Sequence, residues 1–224
     1  TAIMSVPGVT QWAANDYANF IVQARKPNKF SDKAKFVLTG TAGGFAHPAL
    51  ESPLINDVYN DSAFSFLVSL YPEKIENTDE VSGTLGGLTD YTLEFTGIRR
   101  VLDVSLEEFT VTRTIPAANA VKILASPKRV FVGSHRTNFT GSLIDKSDVK
   151  INTIRAWQNR LTIDDLRLHA SDPNNYSIKD PQENAFLFNT SINNVYVPNK
   201  ETLLLHWNFD NVTGSSPAGG FVVE

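Results

Sequence analysis

From Ser62 to Lys74 the chain reads SAFSFLVSLYPEK. Phe64, Phe66, Val68 and Leu70 fall on alternate positions, with Ser65, Leu67 and Ser69 between them. Side chains of a strand point to opposite faces with a period of two, so this pattern commits the segment to a strand with one apolar face. Pro72 closes it, because proline cannot donate to a ladder. A chain built on such segments must cover that apolar face with a second layer.

The same alternation recurs along the chain. NFIVQARK, AKFVLTGTAGG and DYTLEFTG read as strands, and RRVLDVSLEEFTVTRTI reads as two strands with a turn near Glu107 and Glu108. NAVKILAS and KRVFVGS read as strands around a corner at Pro127, followed by DVKINTIRAW and finally ETLLLHWNFD. Helix signals are few. Thr162 with Asp165 three residues later has the form of a capping box and predicts one short helix over 162–170. SPLINDVYND is a second, shorter candidate that reads equally well as loop. Many short strands separated by turn signals, without crossover helices, predict an all-β fold. Its expected form is an antiparallel two-sheet β-sandwich or jelly roll.

The expected organisation is a sandwich over 1–180 and a loop or linker over 181–200. Residues 201–224 would supply the final strand of the sandwich or the start of a following domain. The polar first residues and the strand-like last ones suggest a piece of a longer polypeptide or a processed product. With 224 residues the chain can bury a self-sufficient core. Its formal net charge of -4 gives no electrostatic reason to expect nucleic acid or an anionic membrane as partner. No run of 18 apolar residues offers a membrane span. The absence of cysteine removes disulfide frameworks, thiolate metal sites and cysteine nucleophiles together.

Catalytic signatures are equally sparse. A glycosidase needs two carboxylates about 5–10 Å apart across a groove, yet Glu107 and Glu108 are adjacent and must face opposite ways on a strand. Asp164 and Asp165 are explained by capping. His47, His135, His169 and His206 show no metal-ligand spacing, and the glycine pairs in TAGGF and TLGGL lack the strand–loop–helix setting of a phosphate cradle. We therefore expect no catalytic residues and no obligatory cofactor. Calcium could be held by loop acids among Asp57, Asp61, Asp103, Asp145 and Asp148. The stretch SHRTNF presents a run of donors before Phe139 and reads as a polar recognition loop, with His135, Arg136 and Asn138 as ligand-binding candidates. The competing reading is that Thr137 and Asn138 satisfy turn backbone groups. QARKPNKFSDKAK concentrates Arg25, Lys26, Lys29, Lys33 and Lys35 in one turn. It reads as a solvated turn or as a basic loop facing an acidic neighbour.

The segment from Val130 to Ala170 resembles the closing part of concanavalin A-like domains of the laminin-G type. The resemblance lies in Val130 to Gly133, Phe139-Thr140-Gly141, Ile154-Arg155-Ala156-Trp157 and the capped helix after Leu161. FSFLVSLYPE is similar to the central strand of that family, with Tyr71 where a tryptophan is usual. LLLHWNFDNVTGSS is similar to the way such domains begin, although it stands near the C-terminus. The combination is also similar to modules of large bacteriophage virion structural proteins. The resemblance implies a non-enzymatic structural or binding domain of a phage or virus particle, located in the virion. Such a domain would contact other virion subunits or copies of itself, and a glycan could be a further ligand. The alternative it implies is a carbohydrate-binding, lectin-like module of a secreted or surface protein.

Overall fold

A computed structural model describes residues 2–5, 20–40, 47–60, 62–73, 90–102, 104–125, 128–136, 142–146, 149–172, 203–209, 212–215 and 221–223. Its elements in chain order are β1 (Ala2–Ser5), β2 (Phe20–Arg25), β3 (Lys35–Thr39), β4 (Leu50–Glu51), β5 (Ala63–Pro72), β6 (Tyr91–Val101), β7 (Val104–Ile115), α1 (Ala117–Ala125), β8 (Lys128–Phe131), β9 (Ser134–Arg136), β10 (Leu143–Lys146), β11 (Ile154–Trp157), α2 (Ile163–Ser171), β12 (Leu203–Trp207), β13 (Val212–Ser215) and β14 (Phe221–Val223). Every strand pairing is antiparallel. The protein is therefore all-β with few helices. It divides into two compact units, Thr1–Asp148 and Val149–Glu224.

The first unit holds a five-stranded sheet, β4-β3-β2-β1-β8, and a three-stranded meander, β5-β6-β7, with β9 and β10 as a separate pair. The two larger sheets share one core. Phe36 of β3 lies 4.8 Å and 4.6 Å, between ring centroids, from Phe64 and Phe66 of β5, and 6.4 Å from Phe109 of β7. Phe95 of β6 meets Phe109 edge-on at 5.3 Å. These are the offset and edge-to-face separations that aromatic quadrupoles favour, each adding about 0.5–1.5 kcal/mol beyond burial. Phe64, Phe66, Val68 and Leu70 all pack on this core, as their alternation predicts.

Gly97 stands between Phe66 and Phe109 across the two ladders. A Cβ there would collide with the Phe109 ring and approach Phe66 Cδ1 to 3.1 Å. The missing side chain is thus the room into which the two rings fit. β6 is also buried on both faces, since Glu94, Thr96 and Ile98 are as covered as Leu93 and Phe95.

Several expectations are corrected. β6 ends at Val101 and β7 begins at Val104, so the turn between them is not near Glu107 and Glu108, which lie inside β7. Leu102 has φ 53°, the left-handed backbone that a tight primed hairpin turn demands. Residues read as the strand NAVKILAS form α1, so the described residues hold two helices rather than one. Pro116 starts it, Asn119 and Ala120 donate back to the Pro116 carbonyl, and Asp90 Oδ1 accepts from Ala117 N at 3.2 Å. Ala117, Ala120 and Ile123, spaced by three, are its buried stripe. A short apolar run fits either period, and the proline and alanines decided for helix. SPLINDVYND is not helical: after β4, Ile55 bridges Ala34 and the chain turns. The strand expected over DVKINTIRAW is confined to Ile154–Trp157.

In the second unit β11 pairs with β12 and β13 with β14. The capping box is present as predicted: Asp165 N donates to Thr162 Oγ1 and Thr162 N to Asp165 Oδ2. Trp157 is half-buried and stacks on His169 of α2 at 5.2 Å. The glycine pairs at 43–44 and 86–87, the Phe139–Gly141 turn and the stretch 173–201 lie outside the described residues.

Two substitutions test this packing. Gly97→Ala should destabilise the first unit by about 1–3 kcal/mol in urea unfolding, the usual range for overpacking. Thr162→Ala should cost about 1 kcal/mol through lost capping. An unchanged midpoint for Gly97→Ala would mean that the Phe109 ring has space to retreat.

Candidate functional site

One end of the first unit gathers three connections: the β2–β3 turn, the loop from Leu54 to Ser62, and the tip of the β6–β7 hairpin. The turn is shaped by its own side chains. Asn28 Oδ1 accepts from Phe30 N at 3.1 Å, and Ser31 Oγ accepts from Lys33 N at 3.0 Å. Such short polar side chains bend the backbone by standing in for its partners. The bend leaves Phe30 projecting, 91% exposed. The neighbouring loop is tied to the turn by Val58 N donating to Asp32 O at 3.0 Å and by the Ala34–Ile55 bridge. Lys26 Nζ sits 3.8 Å from the centroid of the Tyr59 ring, a cation–π contact between turn and loop. Partial desolvation at this contact raises the Tyr59 phenol above its ordinary value.

Arg99 holds this loop in place. It lies near the end of β6 on the core face, 6% exposed. Nε donates to Ser62 Oγ at 3.1 Å; Nη1 donates to Asn56 O at 2.9 Å and Glu107 Oε2 at 3.2 Å. Nη2 donates to Asp57 O at 3.1 Å and Asn60 Oδ1 at 3.3 Å. A guanidinium has five N–H donors, and here all five have acceptors. Ser62 also donates to Asn60 Oδ1, closing the ring of contacts. Asp57 has φ 51°, which turns its carbonyl toward the guanidinium side of the loop. The loop therefore converges its oxygens on a cation that the chain itself supplies.

The hairpin tip carries the apolar share of this end. Val101, Leu102, Val104 and Leu106 are all exposed, Leu102 at 93%. With Phe30, Leu54 and Tyr59, seven of the eleven large hydrophobics exposed among the described residues lie at this one end. Scattered exposed leucines are ordinary, whereas a cluster marks a contact surface.

The residues chosen from sequence lie elsewhere. His135 and Arg136 are on β9, a strand rather than the expected loop, opposite Asp145 and Leu143 of β10. Asn138 lies outside the described residues. Of the loop acids considered for calcium, Asp61, Asp103 and Asp148 lie outside the described residues, and Asp57 contributes its carbonyl to Arg99. Among the described residues no three His, Asp or Glu side chains cluster as metal ligands. Glu107 faces the core side with Arg99, and Glu108 the other side, where Ile98 is its partner. Glu94 shares the face of Glu108 but four ladder steps away, about 13 Å along the strand. Sequence reasoning listed the basic turn but missed the clamp. Its only signal was Arg99 at an in-facing position of an apolar strand.

A second polar feature lies on the outer face of the meander. Tyr71 Oη donates to Glu94 Oε2 at 3.1 Å, and Thr96 and Thr110 share a hydrogen bond across the ladder at 3.1 Å. Ser69 is buried beside them.

No family model, no curated protein and no solved structure matches this chain.

Arg99→Lys should unfold more readily by roughly 3 kcal/mol, because an ammonium cannot reproduce the fork and leaves loop oxygens and Glu107 unpaired. Limited proteolysis should then cut within 56–62 faster than in the native chain. Equal stability and equal cleavage would remove Arg99 as the organiser of this end. Glu107→Gln, on a carboxylate left partly exposed, should cost under about 1 kcal/mol.

Proposed function

We propose that this chain is a non-enzymatic domain of a phage or virus particle protein, folded as a concanavalin A-like β-sandwich and working in assembly, surface decoration or host attachment. The observation that carries this reading is the end built on Arg99. A buried, fully satisfied guanidinium fixes loops that otherwise present apolar and cationic side chains to solvent. Rigid loops displaying Phe30 and Leu102 suit a standing protein–protein contact, since little ordering entropy remains to be lost on docking. The resemblance of residues 136–176 followed by 205–213 to virion modules supplies the particle context, and two sheets around one phenylalanine core agree with the sandwich. Calcium is not required at this end, because Arg99 takes the oxygens that a metal would use.

Mass spectrometry of purified particles tests the assignment: peptides of this chain should appear at a copy number typical of structural subunits. Particles without this polypeptide would overturn it. Thermal unfolding should give the same midpoint with calcium as with a chelator.

The alternative is a carbohydrate-binding, lectin-like module of a secreted or surface protein. A glycan array with and without calcium decides it, and an array without hits would end it.

A further inference from the structure

We infer that the Arg99-organised end also seats on an anionic lipid bilayer. The Phe30 and Leu102 tips enter the headgroup layer, and the cations of the β2–β3 turn meet lipid phosphates. This second surface goes beyond the standing contact proposed above and is one the same end meets during attachment. Phe30 stands on the β2–β3 turn, 91% exposed, and Leu102 at the tip of the β6–β7 hairpin, 93% exposed. Leu54, Val101, Val104 and Leu106 are exposed around them. Side chains raised on separate tips each need a matching pocket in a protein, whereas a fluid interface takes them without one.

The β2–β3 turn is built to leave water. A lipid interface offers few partners to backbone groups, so a segment that enters it must satisfy its own. Pro27 has no N–H to satisfy. Phe30 N donates to Asn28 Oδ1 at 3.1 Å, Ser31 N to Asn28 O at 3.2 Å and Lys33 N to Ser31 Oγ at 3.0 Å. Behind the turn, Val58 N donates to Asp32 O at 3.0 Å, and Arg99 holds the loop that carries Val58. Little order therefore remains to be lost on docking.

Charge selects the kind of lipid. Arg25, Lys26, Lys29 and Lys33 are exposed on this turn against Asp32, a net of +3, with Lys35 set aside because Glu51 holds it at 3.2 Å. Asp57 and Asp61 of the neighbouring loop lower that sum and leave it positive. The whole-chain charge of -4 conceals this patch. An anionic leaflet attracts such cations, and their long stems let the charged heads reach phosphates while the apolar tips go deeper. A nucleic acid would use the same cations and stack on Phe30, but it gives no burial to Leu54, Val101, Leu102, Val104 and Leu106. A bilayer uses both, because apolar burial and electrostatic attraction add in membrane binding.

Flotation of the full chain with lipid vesicles tests this. At low salt, vesicles with about a third phosphatidylglycerol should bind it roughly tenfold or more better than phosphatidylcholine alone. High salt should remove most of that gain. Lys29→Gln with Lys33→Gln should lower binding to the anionic vesicles roughly tenfold or more. Phe30→Ser with Leu102→Asn should lower it roughly tenfold. All four side chains are exposed, and asparagine tolerates the left-handed backbone at 102, so the thermal midpoint should not move. The chain has no cysteine, so Leu102→Cys places a polarity-sensitive dye at that position alone. Its emission should shift to the blue on anionic vesicles and be quenched by spin labels on the acyl chains. No binding to anionic vesicles at low salt would overturn the inference. So would a dye that stays in water on the bound chain, or binding indifferent to either pair of substitutions. A chain that binds heparin and no vesicle would also overturn it, leaving a polyanion site. None of these outcomes changes whether the chain is found in purified particles, so the two readings fail separately.

Discussion

The guanidinium of Arg99 sets the terms for everything around it. An arginine on the core face of a central strand is costly unless every N–H finds an oxygen, and the chain meets that demand with two carbonyls, an amide oxygen, a hydroxyl and a carboxylate. Four of the five acceptors come from Asn56, Asp57, Asn60 and Ser62, within one seven-residue loop. The loop has no helix or ladder of its own to fix it. Its conformation follows from the acceptors that Arg99 requires, including the left-handed backbone at Asp57. Because Val58 and Tyr59 reach the β2–β3 turn, the order passes to Lys26 and Asp32 as well.

Behind the guanidinium lies the phenylalanine core, and the two depend on each other. The Arg99 head is 5.8 Å from the Phe64 ring, which also touches Phe36 of the facing sheet. Gly97, two residues earlier on the same face, gives Phe66 and Phe109 the space they share. A single face of β6 therefore runs from large apolar side chains through an absent one to a charged one. That gradient takes the sheet from dry interior to a solvated end within six residues. It leaves the hairpin tip beyond Arg99 without core to cover it, and Val101, Leu102, Val104 and Leu106 face solvent there.

Polar burial on the other face of β6 follows a different rule. Glu94 and Thr96 sit in the middle of the meander with hydrogen-bond partners on either side, Tyr71 from β5 and Thr110 from β7. Cross-strand partners keep these groups satisfied where water does not reach. A strand buried on both faces loses the alternation of exposure that marks a half-buried strand, although its apolar and polar side chains still alternate. This is why the exposure of β6 departs from its sequence pattern, as does that of β5, where Ser69 is the buried residue.

The sequence by itself determined the strands and the capped helix, because their information is local: period two in Phe64 to Leu70, and Thr162 with Asp165 three residues apart. It did not determine α1, because NAVKILAS is too short for its period to separate helix from strand, and Pro116 spoke only through the turn it began. It placed the β6–β7 turn at two acids, whereas the tertiary structure put it at Leu102, since register against β5 and the Arg99–Glu107 pair outweigh the local preference for polar turn residues. Only the tertiary structure could bring residues 26–33, 54–62 and 101–106 to one end, because the contacts that do so, from Arg99 to Asn56 and from Val58 to Asp32, join positions that no local pattern relates.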